Sequence, residues 1–201
     1  NVGDNVGDVA GMGADLFESF VGAIIATMII GSAFVGLGPF QEGFELGAVI
    51  LPLGLGGIGI ITSIIGTPFV RLRGEEDLHK ALNRGEFISM AAMIVAAFGL
   101  THWLLPASWS AETLIGGLHN YSSLNVFFAT LVGIAVGYVI GKVTVYFTGT
   151  DRKPVIGIVE RSTTGEATNI IEGLEVGMAS TAIPMVDIAC GILETYALAG
   201  L

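Results

Sequence analysis

The sequence predicts an all-α membrane protein, a polytopic helix bundle with about five transmembrane helices. Three observations carry this. The mean hydropathy is +0.77, and 52% of the 201 residues are hydrophobic against 13% charged, which lies outside the range of ordinary soluble domains. The apolar residues come in long blocks rather than amphipathic stripes. The basic residues gather between those blocks on one side only.

A helix needs roughly 20 mainly apolar residues to cross ~30 Å of hydrocarbon. Residues 12–37 form the first candidate span. Acidic rather than basic residues precede it, so it is not a signal peptide. Residues 44–70 form the second. Its Gly54, Gly56 and Gly59 satisfy GxGxxG, but no strand precedes them, and helix packing is the better reading than dinucleotide binding. Residues 86–105 and 123–147 supply the third and fourth spans, and residues 170–200 the fifth. Glu172, Glu175, Pro184, Asp187 and Glu194 interrupt the last, which a kink at Pro184 and shielding by neighbouring helices would accommodate. Asp187 and Glu194 are seven residues apart and share a helix face. They either line a second polar route or meet a neighbouring helix or subunit that pairs or protonates them. With no initiator Met and an end inside an apolar run, residues 1–201 read as one transmembrane region, an internal fragment of something longer.

Loop charge sets the orientation. Of the eight basic residues, Arg71, Arg73, Lys80 and Arg84 follow the second span. Arg152, Lys153 and Arg161 follow the fourth, and Lys142 lies in that span's last turns. The loops at 38–43 and 106–122 have none. The positive-inside rule makes the basic side cytoplasmic, and alternation of spans places the amino-terminal residues there too. The Arg71 to Gly85 stretch reads as a solvated cytoplasmic connection. The formal net charge of -10 excludes nucleic-acid binding, which needs clustered Lys and Arg. Cys190 has no second cysteine to pair with, and His79, His102 and His119 show no zinc-ligand spacing. Asn120-Tyr121-Ser122 matches a glycosylation sequon, a short pattern that often arises by chance.

The segment NVGDNVGDVAGMGADLFES, residues 1–19, carries Asp4, Asp8, Asp15 and Glu18 with no Lys or Arg. At ~100° per residue an α-helix would place all four within an arc of roughly 80°, with Ser19 at its edge. At ~1.5 Å per residue the stripe runs about 21 Å. Gly3, Gly7 and Gly11, four residues apart, would let another helix approach closely. Helix capping explains Asp4 or Asp8 taken alone. It does not explain Asp15 and Glu18, where an unpaired charge costs at least ~2.5 kcal/mol on insertion scales. An EF-hand calcium loop needs oxygens at alternate positions, which Asp4 and Asp8 do not supply. Two carboxylates one turn apart at a water-filled mouth suit Mg²⁺, which keeps waters and accepts phosphate oxygens as further ligands. By these residues alone, a pump driven by phosphate chemistry and a secondary cation transporter or channel stand level.

The repeat NVGDNVGD with AGMGADLFES, and later STTGEATNIIEGLEVGMAST at 162–181, closely resemble the membrane-bound, ion-translocating pyrophosphatases. The resemblance runs over essentially the whole chain and corresponds to the middle helices of that family. It implies a primary pump that couples pyrophosphate hydrolysis to Na⁺ or H⁺ translocation, with Mg²⁺ as cofactor and K⁺ as an activator, in a homodimer embedded in the cell membrane. Asp4 aligns with a carboxylate that binds Mg²⁺ in the Mg-pyrophosphate complex. Asp8 aligns with one of two aspartates that hold and deprotonate the attacking water. Asp15, Glu18 and Ser19 match the ion gate. Some proton-pumping relatives carry the gate glutamate one turn further on, where Gly22 stands here, whereas DLFES followed by VG looks like the sodium-pumping, potassium-stimulated branch. Phe20 departs from the Tyr of many relatives. Lacking the remaining catalytic residues, the isolated 201-residue piece is expected to be inactive.

Overall fold

A computed structural model describes residues 2–32, 46–71, 78–112 and 118–199. The first helical run extends from Val2 to Ser32. It consists of a short α1 (Val2–Asp4), a π-helical segment (Asn5–Gly11) and α2 (Met12–Ser32). Next come α3 (Gly47–Gly66), closed by a 3₁₀ turn at Thr67–Phe69, and α4 (Leu78–Leu104). Strands β1 (Trp109–Glu112) and β2 (Leu118–Tyr121) precede α5 (Ser123–Thr148), α6 (Lys153–Ser162) and α7 (Glu166–Ala199). Among the described residues, five helical runs are long and apolar enough to cross a membrane. The protein is therefore the polytopic helical type that its apolar blocks predict.

The boundaries differ from the sequence reading where polar residues are helical. The first run starts at Val2 rather than residue 12, so the acidic motif lies inside the helix. Likewise α4 begins at Leu78 rather than 86, and the expected solvated connection is helical from there to Gly85. A polar helical extension keeps its backbone hydrogen-bonded whatever its side chains, and hydropathy cannot see it. Residues 33–37, 38–43, 44–45 and 72–77, with Gly200, lie outside the described residues. The stretch 106–122 contains an antiparallel hairpin instead of a plain loop, with Trp109 opposite Tyr121 and Ser110 opposite Asn120. The Ser110 hydroxyl donates to Asn120 Oδ1 at 2.7 Å, so the sequon's amide has a cross-strand partner.

The chain divides into two compact units, Asn1–Phe127 and Phe128–Leu201, the division falling within α5. In the first unit α3 packs on both α2 and α4. Leu51, Leu105, Trp109 and Tyr121 form its buried cluster, with Leu55, Leu100 and Val126 against it. Small residues make the approach possible. Pro52 lies inside α3 and has no N–H, so the Ala48 carbonyl lacks its helical donor. That carbonyl turns to α2, where a Cβ on Gly31 would meet its oxygen and, at 2.8 Å, its carbon. Gly54 meets Leu100 of α4 and Gly56 meets Ile24 of α2. The GxGxxG stretch is thus a packing surface. Buried hydroxyls return to their own helix: Thr101 Oγ1 donates to Ala97 O at 2.8 Å, and Thr62 Oγ1 to Gly59 O at 3.0 Å.

In the second unit α6 folds back on α7. Gly165, at φ 140°, makes the turn between them, a conformation that a side chain would oppose. Thr168 Oγ1 reaches the Arg161 carbonyl at 3.1 Å across that turn, and Arg161 Nε stands 3.5 Å from Glu172 Oε2. Further along, Gly191 of α7 receives Val136 of α5. Lys142 sits half-buried in α5 with its ammonium 5.0 Å from the centre of the Tyr138 ring. Pro184 lies within an uninterrupted α7.

Candidate functional site

The acidic residues occupy successive parts of one helical run. Asp4 ends α1, Asp8 lies in the π segment, and Asp15 stands in the first turn of α2, with Glu18 and Ser19 one turn on. All five are exposed in this chain. The π segment is a local departure that no apolar periodicity announces. Its signature is the Met12 N–H, which donates to the Gly7 carbonyl five residues back as well as to Val9. A Cβ on Gly11 would lie 3.8 Å from the Val6 carbonyl, also five residues back. Gly3, Gly7, Gly11 and Gly13 crowd this stretch. Glycine weakens α-helix by about 1 kcal/mol relative to Ala, which lowers the cost of leaving α geometry.

The π turn changes the angular argument. Each π residue closes a wider turn than an α residue, so the ~100° step that puts four carboxylates on one stripe does not run through Asn5–Gly11. Asp15, Glu18 and Ser19 keep their α relation within α2. Asp8 lies in the π segment and Asp4 in the α turn before it, so the run falls into an upper stretch and a lower α2 group. π segments recur at functional sites because they re-aim side chains without breaking the helix.

Among the described residues, Asp8, Asp15 and Glu18 have no hydrogen bond or ion pair, and no group of three His, Cys, Asp or Glu residues could hold a metal. A pair of carboxylates is nevertheless a donor set that Mg²⁺ accepts, when waters and phosphate oxygens complete its shell. Among the described residues, nothing lies within 4 Å of a Cβ placed on Gly3 or Gly7, so the close helix approach expected there is not made by them. On α7, Asp187 and Glu194 differ although they share a face. Asp187 is half-buried with Oδ2 lacking any partner, whereas Glu194 is exposed.

Two features escaped the sequence reading. Asn169 Oδ1 is buried without a hydrogen-bond partner, inside the STTGEATN block to which no role was given. Arg71 and Arg84, read as a solvated connection, line one recess. Spacing gives no hint of the second, because the two are brought together by the packing of Val70 on Gly85.

Comparison with known proteins adds what this geometry cannot. A protein from Moorella thermoacetica named K(+)-insensitive pyrophosphate-energized proton pump 2 is 39% identical over 97% of this chain and 26% of its own length. The K(+)-insensitive pyrophosphate-energized proton pump of Caldanaerobacter subterraneus subsp. tengcongensis is 41% identical over 98% of this chain and 26% of its own. A Clostridium tetani protein with the provisional name K(+)-stimulated pyrophosphate-energized sodium pump is 42% identical over 100% of this chain and 26% of its own. The chain thus spans about a quarter of the length of these relatives. The family model described as inorganic H+ pyrophosphatase matches residues 1–201, and the chain belongs to that family.

Proposed function

We propose that the chain supplies the middle helices of a pump in which hydrolysis of pyrophosphate drives Na⁺ across the membrane. The observation that carries the reading is the acidic run itself, with Asp4 closing α1, Asp8 in the π segment after it, and Asp15, Glu18 and Ser19 further along in α2. Chemistry and transport then share one helix.

In this reading the carboxylates of Asp4 and Asp8 hold Mg²⁺, which when bound offsets the charge of the substrate's phosphate oxygens. Asp8 also accepts a proton from the attacking water, as a general base does when placed within hydrogen-bond reach. Asp15, Glu18 and Ser19 offer two carboxylates and a hydroxyl to the transported ion on neighbouring turns. K⁺ acts as an activator, and the acidic motif faces the cytosol in a homodimeric assembly. The alternative ion is H⁺, favoured by the two relatives named proton pumps. A transporter without hydrolysis is not favoured. Mg²⁺-dependent release of phosphate from pyrophosphate, measured on the full-length protein in membranes with K⁺ present, tests the reading. Absence of release under saturating Mg²⁺ would overturn it.

A further inference from the structure

Among the described residues two buried side-chain oxygens have no hydrogen-bond partner, Asn169 Oδ1 and Asp187 Oδ2. Both belong to α7, five whole turns apart at ~3.6 residues per turn, so they share one face. At ~100° per residue Gly173, Gly177, Ser180 and Pro184 fall on that face too, within an arc of roughly 80°. It is the packed face of the helix. Asn169, Gly173, Ser180, Pro184 and Asp187 are half-buried, and Gly191, one turn past Asp187, receives Val136 of α5. Pro184 adds a third oxygen. It lies inside α7 and has no N–H, so the Ser180 carbonyl lacks its helical donor. The Ser180 hydroxyl donates to Gly177 O at 2.7 Å, which commits its proton and leaves its lone pairs.

From this arrangement we infer that α7 holds a hard monovalent cation of the size of Na⁺ at Asp187, a site separate from Asp15, Glu18 and Ser19. A carboxylate inside an apolar helix costs at least ~2.5 kcal/mol unless something pairs it. This chain already covers Oδ2, so a side chain from another segment does not reach that oxygen, and its ligand has to be small. A proton would serve the carboxyl alone. The carbonyl freed by Pro184 calls for a ligand that takes more than one oxygen, and carbonyls released from a broken helix ladder coordinate Na⁺ in membrane proteins. Ser180 and Asp187 are about 10.5 Å apart along the axis at ~1.5 Å per residue. Helix carbonyls point to the C-terminus and side chains lean to the N-terminus, so the two oxygens approach to the span of one ion and a water. One carboxylate balances one positive charge, which favours a monovalent ion over a divalent one. Towards the α6 to α7 turn the same face carries Gly173 and Gly177, where nothing among the described residues lies within 4 Å of a Cβ, and then the unpartnered Asn169 oxygen. Occupancy of the site requires no hydrolysis.

The test is equilibrium binding of ²²Na⁺ to the full-length protein in nanodiscs, without pyrophosphate. A Glu18→Gln background removes the α2 carboxylates' share, so that the remaining binding reads α7. In that background Asp187→Asn, which keeps the shape and drops the charge, lowers the affinity at least about tenfold, as expected for a unit charge within a few ångströms of the ion. Pro184→Ala returns an N–H to the Ser180 carbonyl and lowers it about fivefold, one hydrogen bond's worth, while leaving the carboxylate in place. Glu194→Gln, the same charge change at an exposed position of α7, leaves binding unaltered. Equal ²²Na⁺ binding by the Glu18→Gln parent and its Asp187→Asn derivative overturns the inference. So does an equal loss on Glu194→Gln, which would show only a general charge effect. Should the Asp187→Asn protein fail to assemble, Pro184→Ala decides in the same way. Because no substrate is present, the result stands whether or not the protein hydrolyses pyrophosphate.

Discussion

The amide of Met12 donates to the carbonyl of Gly7, five residues back, in the stretch that separates Asp8 from Asp15. The π register therefore runs up to the start of α2, between Asp8 and Asp15. An all-α helix would align them on one face. The π segment changes the turn per residue between Asp8 and Asp15, while Asp15, Glu18 and Ser19 stay in α2.

Replacing Asp8 by Asn in the full-length protein is predicted to abolish pyrophosphate hydrolysis while sparing expression. The amide still hydrogen-bonds but cannot accept the proton of water, and a positioned base contributes 10²–10⁴-fold in rate. Asp4→Asn should instead raise the Mg²⁺ concentration needed for activity. Phosphate release measured across a Mg²⁺ titration separates the two effects. Wild-type rates in both variants would remove Asp4 and Asp8 from the site.

Deletion of Val9 takes one residue out of the π segment and lets it relax to α register. Val9 is 69% exposed in this chain, so Val9→Ala serves as the control that preserves the residue count. The deletion should lower hydrolysis at least about tenfold, because a 1 Å misplacement of reacting groups can cost about 10²-fold. The Ala variant should stay near wild type. If the deletion variant hydrolyses pyrophosphate normally, the π segment has no part in aligning the site.

Hydropathy locates the five long helices because the bilayer imposes their length and composition. It does not give their ends. Leu78–Gly85 is helical but too polar to register, and the strands Trp109–Glu112 and Leu118–Tyr121 are too short to show a period of two. The acidic residues stood out in the sequence as an expectation, since carboxylates in a membrane helix are costly. Their mutual angle did not, because a change of hydrogen-bond register over Asn5–Gly11 leaves no trace in side-chain pattern. The Arg71 and Arg84 recess was hidden for another reason: it depends on the tertiary contact of Val70 with Gly85.

Gly31→Ala should destabilise the full-length protein, whereas Gly57→Ala should not. A Cβ on Gly31 would enter the Ala48 carbonyl that Pro52 leaves without a helical donor, and neither backbone can yield without parting α2 from α3. Overpacking of this kind costs about 1–3 kcal/mol. Among the described residues, nothing lies within 4 Å of a Cβ on Gly57, so that change serves as the internal comparison. Thermal unfolding in detergent reads the difference. Equal midpoints for the two variants would show that α2 and α3 do not approach through Gly31.

The transported ion is predicted to be Na⁺. Asp15, Glu18 and Ser19 lie on neighbouring turns of α2, the segment whose α geometry is intact, and so can offer several hard oxygens at one depth. A proton needs a single acceptor. Two carboxylates on neighbouring turns are stabilised by a cation they share. Sealed vesicles containing the full-length protein distinguish the two. With pyrophosphate, Mg²⁺ and K⁺ supplied, sodium pumping gives ²²Na⁺ uptake that persists or rises when a protonophore collapses the pH gradient. Glu18→Gln should reduce that uptake at least about tenfold, since the remaining oxygens cannot balance the charge of the ion. Acidification of the lumen without Na⁺, and no ²²Na⁺ uptake, would make the protein a proton pump in spite of the position of Glu18.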